Sequence, residues 1–168
     1  MSDRRGVRLA LAVYQIVGGL SGIAGAATVM TAAPEAALSA NVEAVATTFV
    51  FGLALLIAGV ALMRETSVGW GAKLSVLLEA AQVPTLAVPG VLEYWMYTPL
   101  QLAAVWKDGG VRFLIAIGGG LQYAIGAETD TTFLIGVNII AGIAAVAAFR
   151  LWSAVPDTPR APAGSVPG

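Results

Sequence analysis

Charge is so sparse along this chain that the gaps between charged residues outline its architecture. No charged residue lies between Arg8 and Glu35, a run of 26 residues, and further uncharged runs of 20 and 19 residues cover Ala44–Met63 and Thr131–Phe149. A helix needs roughly 20 apolar residues to cross a hydrocarbon core. A fourth run, 71–92, is broken only by Lys73 near its start and Glu79 inside it, with Pro84 and Pro89 in its far half. The chain therefore reads as an all-α membrane protein. Its predicted form is a four-helix transmembrane bundle with approximate spans 9–31, 44–63, 71–92 and 131–151, the first taken as a retained anchor rather than a cleaved leader. With 58% hydrophobic and 11% charged residues, composition agrees with that class, because soluble domains average about 25% charge.

Orientation follows from the basic residues. With the N-terminus inside, Arg4, Arg5, Arg8, Arg64, Lys73, Arg150 and Arg160 fall on the cytoplasmic side, and only Lys107 and Arg112 fall outside. This predicts a bacterial plasma (inner) membrane protein with both termini cytoplasmic. Residues 156–168 carry four prolines and no apolar period, which predicts a disordered tail.

The external segment, 93–130, is long for a turn and apolar for a loop. Leu100, Leu102 and Trp106 alternate with other residues, as do Val111, Phe113, Ile115 and Ile117, and then Leu121, Tyr123 and Ile125. Lys107-Asp108-Gly109-Gly110 separates the first two runs, and Asp-Gly between alternating runs is a hairpin signal. A small external β-hairpin or three-stranded sheet is expected, apolar face towards the membrane, with Tyr94, Trp95, Tyr97 and Trp106 at the interface. A re-entrant helix over Phe113–Ala127 is the competing reading.

Chemistry is constrained mainly by what is missing. Without cysteine or histidine the chain has no thiolate, no imidazole base and none of the usual metal ligands. Neither a phosphate loop nor a basic stripe for nucleic acid is present. No cofactor is expected, and no enzymatic activity. Glu79 is the one acid inside a predicted span. Ser75, Glu79 and Gln82 share a helix face, Gln15 lies at similar depth, and Asn138 sits in the fourth predicted helix, so these five form the candidate intramembrane polar site. Two roles compete for it: hydrogen bonding between helices, and a proton or ligand site. Small residues form packing seams at Gly18, Gly22 and Gly25, at Gly52 and Gly59, and at Gly142. The expected function is a non-enzymatic structural or accessory component of the membrane or of a membrane complex. The alternative is a small transporter, channel or proton-linked carrier using Glu79. Expected partners are the lipid bilayer and either further copies of the chain or other membrane subunits.

Overall fold

A computed structural model describes residues 2–32, 35–88, 92–97, 100–107, 109–117, 120–125 and 133–155. Four helices and a sheet make up the fold: α1 (Ser2–Ala32), α2 (Glu35–Met63), a 3-10 turn at Glu65–Ser67, α3 (Val68–Gln82), β1 (Pro84–Val88), β2 (Leu92–Tyr97), β3 (Leu100–Lys107), β4 (Gly110–Ile117), β5 (Gly120–Ile125), β6 (Leu134–Asn138) and α4 (Ile139–Ser153). Two helical stretches, Arg4–Thr31 and Val42–Met63, are long and apolar enough to cross a membrane. The predicted disordered tail lies outside the described residues.

The all-α expectation is corrected here. The predicted spans 71–92 and 131–151 are each part helix and part strand, so α3 and α4 have only 15 residues apiece. Pro84 has no N–H to donate to the preceding helical turn, and it opens a strand instead, a position proline tolerates. In the other span, β-branched Ile135 and Val137 flank Gly136, a poor helix-forming run that pairs with β1. Helix begins only after Asn138, whose Oδ1 accepts the backbone N–H of Ala141 at 3.3 Å, an N-cap. Asn138 is therefore not in the fourth helix, as the sequence reading had it, but at its threshold.

The sheet is larger than expected and fully antiparallel, with strand order β4-β3-β6-β1-β2-β5. The predicted hairpin is present: Leu102 pairs with Ile115 and Lys107 with Gly110 across the turn. β2 and β5 continue that pairing in the same register, from Tyr97↔Gly120 to Leu92↔Ile125. Strands β2 and β3 thus pair with β5 and β4 as the two arms of one long hairpin, which straddles the β1–β6 pair with β2 against β1 and β3 against β6.

That topology forces curvature. The Cα atoms of Tyr97 and Leu100, three residues apart, are separated by at most about 11 Å. In a flat sheet β2 and β3, three strand spacings apart, would be about 14 Å from each other. The sheet must curl towards a half-barrel, which accounts for its inner face of Thr85, Ala87, Gln101, Ala103, Val105, Leu134 and Asn138, all buried. Gly136 lies on that face, and a Cβ there would come within 2.6 Å of the Ala104 carbonyl. The opposite face leaves Trp106, Phe113, Ile115, Ile135 and Val137 about half or more exposed.

At the hairpin tip Gly109 has φ +78°, where an L side chain is strained. Gly109→Ala should cost about 1 kcal/mol and Gly109→Asn less, since asparagine tolerates the left-handed region. Thermal unfolding of the two variants checks this, and equal losses would contradict it.

Helices α1 and α2 form the tightest pair. A Cβ on Gly52 would lie 2.9 Å from the Gly19 carbonyl, one on Gly22 would lie 3.4 Å from the Gly52 Cα, and one on Gly59 would lie 2.8 Å from the Ala12 carbonyl. Gly142 is different: nothing lies within 4 Å of a Cβ built there, so its predicted packing role is not seen among the described residues. Gly71, which the sequence reading passed over, does pack: its Cβ would meet the Leu62 N–H nitrogen at 2.9 Å.

Candidate functional site

Helical spacing on α3 puts Ser75, Glu79 and Gln82 on one face, and α1 presents Gln15 to it. All four side chains are fully buried. Gln15 is the hub. Its Nε2 donates to Glu79 Oε1 at 3.2 Å, and its Oε1 lies 3.0 Å from Ser75 Oγ. Ser75 Oγ is also 2.7 Å from the Gly71 carbonyl, so one hydroxyl proton has two acceptors within reach. Gln82 Nε2 has two N–H groups and two acceptors, the Leu78 carbonyl at 3.2 Å and Glu79 Oε2 at 3.4 Å. Both carboxyl oxygens of Glu79 are thereby held by neutral amides, one from α1 and one from its own helix.

The polar column does not stop where α3 ends. Thr85 lies three residues beyond Gln82, and the Asn138 backbone N–H donates to the Val83 carbonyl at 2.7 Å. Asn138 in turn pairs with Ala103, two residues from Gln101. Thr85, Asn138 and Gln101 are at most 2% exposed, and all three belong to the inner face of the sheet at its helix-proximal end. Among the described residues, Thr85 Oγ1, Asn138 Nδ2 and Gln101 Nε2 have no hydrogen-bond partner. Buried polar atoms normally find a protein or water partner, so three orphans beside one another mark a place for bound water or a polar ligand.

The structure brings Gln15, Ser75, Glu79 and Gln82 into one hydrogen-bonded network and sets Asn138 at its sheet end. Thr85 and Gln101 were not singled out from sequence. Thr85 continues the spacing of the α3 face, a signal the reading did not extend past Pro84. Gln101 alternates with Leu100 and Leu102 along β3, on the side opposite the larger apolar residues. Chemically, the arrangement offers one carboxyl group, four amides and two hydroxyls, which suits hydrogen bonding and proton exchange. Among the described residues no group of three or more acidic side chains gathers in a form that could hold a metal ion. No family model, curated protein or solved structure matches the chain.

Proposed function

We propose that this chain is a small multi-pass membrane protein of the bacterial plasma membrane, acting as a non-enzymatic structural or accessory component. The observation that carries this reading is the Glu79 network. Both acid oxygens accept from amide donors, and one of those donors reaches across from α1, so the group serves to tie two helices together.

In this reading four passes cross the bilayer. α1 and α2 do so as helices. α3 and α4, at 15 residues each, measure about 22 Å and fall short of a core about 30 Å thick. Their continuations β1 and β6 supply the rest, where the outward residues Ile135 and Val137 are apolar and half exposed. At the opposite end, Lys73 Nζ lies 6.0 Å from the Trp152 ring centre, and Trp70 and Trp152 are exposed, an arrangement suited to a membrane boundary. Arg4, Arg5, Arg8, Arg64 and Arg150 belong to this same end, which supports placing both termini in the cytoplasm. Single cysteines at Ser2 and Asp108 test the topology in this cysteine-free chain: in intact cells an impermeant maleimide should label position 108 and spare position 2. Labelling at position 2 alone, or equally at both, would refute it.

The three orphaned atoms at the sheet base favour a second reading, a proton-linked carrier with Glu79 as its exchanging group. Proteoliposomes separate the two. For a structural component, wild-type protein should show no more pH-driven flux than empty vesicles. Flux in the wild type that disappears in Glu79→Gln, with stability unchanged, would establish the carrier instead.

A further inference from the structure

The cytoplasmic ends of α1 and α4 do not close on one another. Between them lies a crevice of about 590 Å³ with Arg4 and Arg150 among its lining residues and walls that include Val7, Ile143, Val146 and Ala147. A second cavity of about 270 Å³ shares Arg4 with it and adds Arg5, Arg8 and Glu65. Glu65 is engaged by Arg8, at 4.0 Å. Among the described residues, Arg4 and Arg150 have no acidic partner within that distance. The Arg8 Nε is buried and has no acceptor among the described residues. Two uncommitted guanidinium groups therefore stand at an opening whose walls are apolar. Ile143 and Val146 are both more than half exposed along the α4 side.

That combination has the chemistry of an amphiphile with an anionic head. Guanidinium binds phosphate oxygens with charge-assisted, often bidentate hydrogen bonds. A groove of branched aliphatic residues rising away from those arginines suits an acyl chain and offers a small free anion nothing. We propose that the α1–α4 crevice binds an anionic phospholipid of the inner leaflet, its phosphate between Arg4 and Arg150 and one acyl chain along Val7, Ile143 and Val146. The proposal rests on the membrane reading above. It adds a lipid class and a site, since basic pockets between membrane helices on the cytoplasmic side recognise anionic headgroups.

The test uses the full chain in detergent, with lipid binding followed by native mass spectrometry and by thermal shift. Phosphatidylglycerol should be retained and raise the melting temperature, whereas phosphatidylcholine should do neither. Arg4→Gln/Arg150→Gln should weaken phosphatidylglycerol binding about tenfold or more, while Lys107→Gln at the other end of the molecule leaves it unchanged. Val146→Trp, which keeps both arginines and fills the groove, should also lose the lipid, so the result does not depend on the arginine variant folding. Equal retention of phosphatidylcholine, or unaltered phosphatidylglycerol binding in both variants, would overturn the proposal. Inorganic phosphate giving the full thermal shift without lipid would also overturn it, in favour of a free-anion site. Release of the protein from membranes by alkaline carbonate would instead overturn the membrane reading itself, a separate result.

Discussion

Gly59→Leu should destabilise the α1–α2 pair by on the order of 3 kcal/mol, the upper part of the range for overpacked cores. A Cβ at this position would meet the Ala12 carbonyl at 2.8 Å and the Ile16 backbone nitrogen at 3.1 Å. Both are main-chain atoms of a helix, so no rotamer change relieves the contact. The helices would have to separate, and the close approach that stabilises helix pairs in the absence of a hydrophobic drive would be lost. Gly142→Leu is the matched control, because a Cβ there meets nothing within 4 Å. Replacing glycine inside α4 should also improve helix propensity by up to about 1 kcal/mol. Unfolding of both variants in the same detergent is the measurement. Similar losses at the two positions would mean that the effect comes from the leucine and not from the helix contact.

The contrast between those glycines shows what kind of information the sequence carried. Small residues at Gly22, Gly52 and Gly59 marked a real seam, while Gly142 looked the same in sequence and faces open space. A seam is a property of two surfaces, and one chain segment read alone displays only one of them. The strands show a related limit. Alternation located strands β3 and β4 and their pairing, but it did not show which face of β3 is buried within the chain. Leu100 and Trp106 point outwards, and the buried side carries Gln101, Ala103 and Val105. Where both faces are apolar enough, a period of two fixes the pairing but not which side is the core.

β1 and β6 were missed for another reason. An uncharged run satisfies the requirement for a membrane span whether it is helix or strand, and 84–88 and 134–138 were absorbed into helices on hydropathy alone. Two local signals argued otherwise: Pro84, which has no N–H for the helical ladder, and Asn138, a good N-cap ahead of an apolar run. The polar site fared better. Ser75, Glu79 and Gln82 needed only the helical period, and Gln15 needed only equal depth along a helix running in the same direction, because both quantities are fixed by backbone geometry. Thr85 continues the same helical spacing beyond Pro84, whereas Gln101 depended on the strand pairing and could not be placed without it.

Glu79 gives the most discriminating set of substitutions, since its network can be broken from either side. Glu79→Gln keeps the length of the side chain and an oxygen to accept from Gln15, and should lose less than about 1 kcal/mol. Glu79→Ala should lose about 2–3 kcal/mol, because the Nε2 groups of Gln15 and Gln82 lose an acceptor inside a fully buried site and a cavity is left behind. Gln15→Leu should cost somewhat less, about 1–2 kcal/mol, by stranding one oxygen of Glu79 while Ser75 keeps the Gly71 carbonyl as its acceptor. The combined Glu79→Leu/Gln15→Leu variant should recover much of the loss, because replacing both partners of a buried polar contact with apolar groups of similar shape is close to neutral, whereas removing one is not. Unfolding of Glu79→Leu, Gln15→Leu and the combined variant, in one detergent, measures the coupling. A pair whose losses simply add would show that Gln15 and Glu79 are not acting on each other. Recovery of stability in the double variant would show that the bundle does not need a carboxyl group at this position to hold together. Any loss of activity in that same stable variant would then belong to the acid's chemistry rather than to its packing.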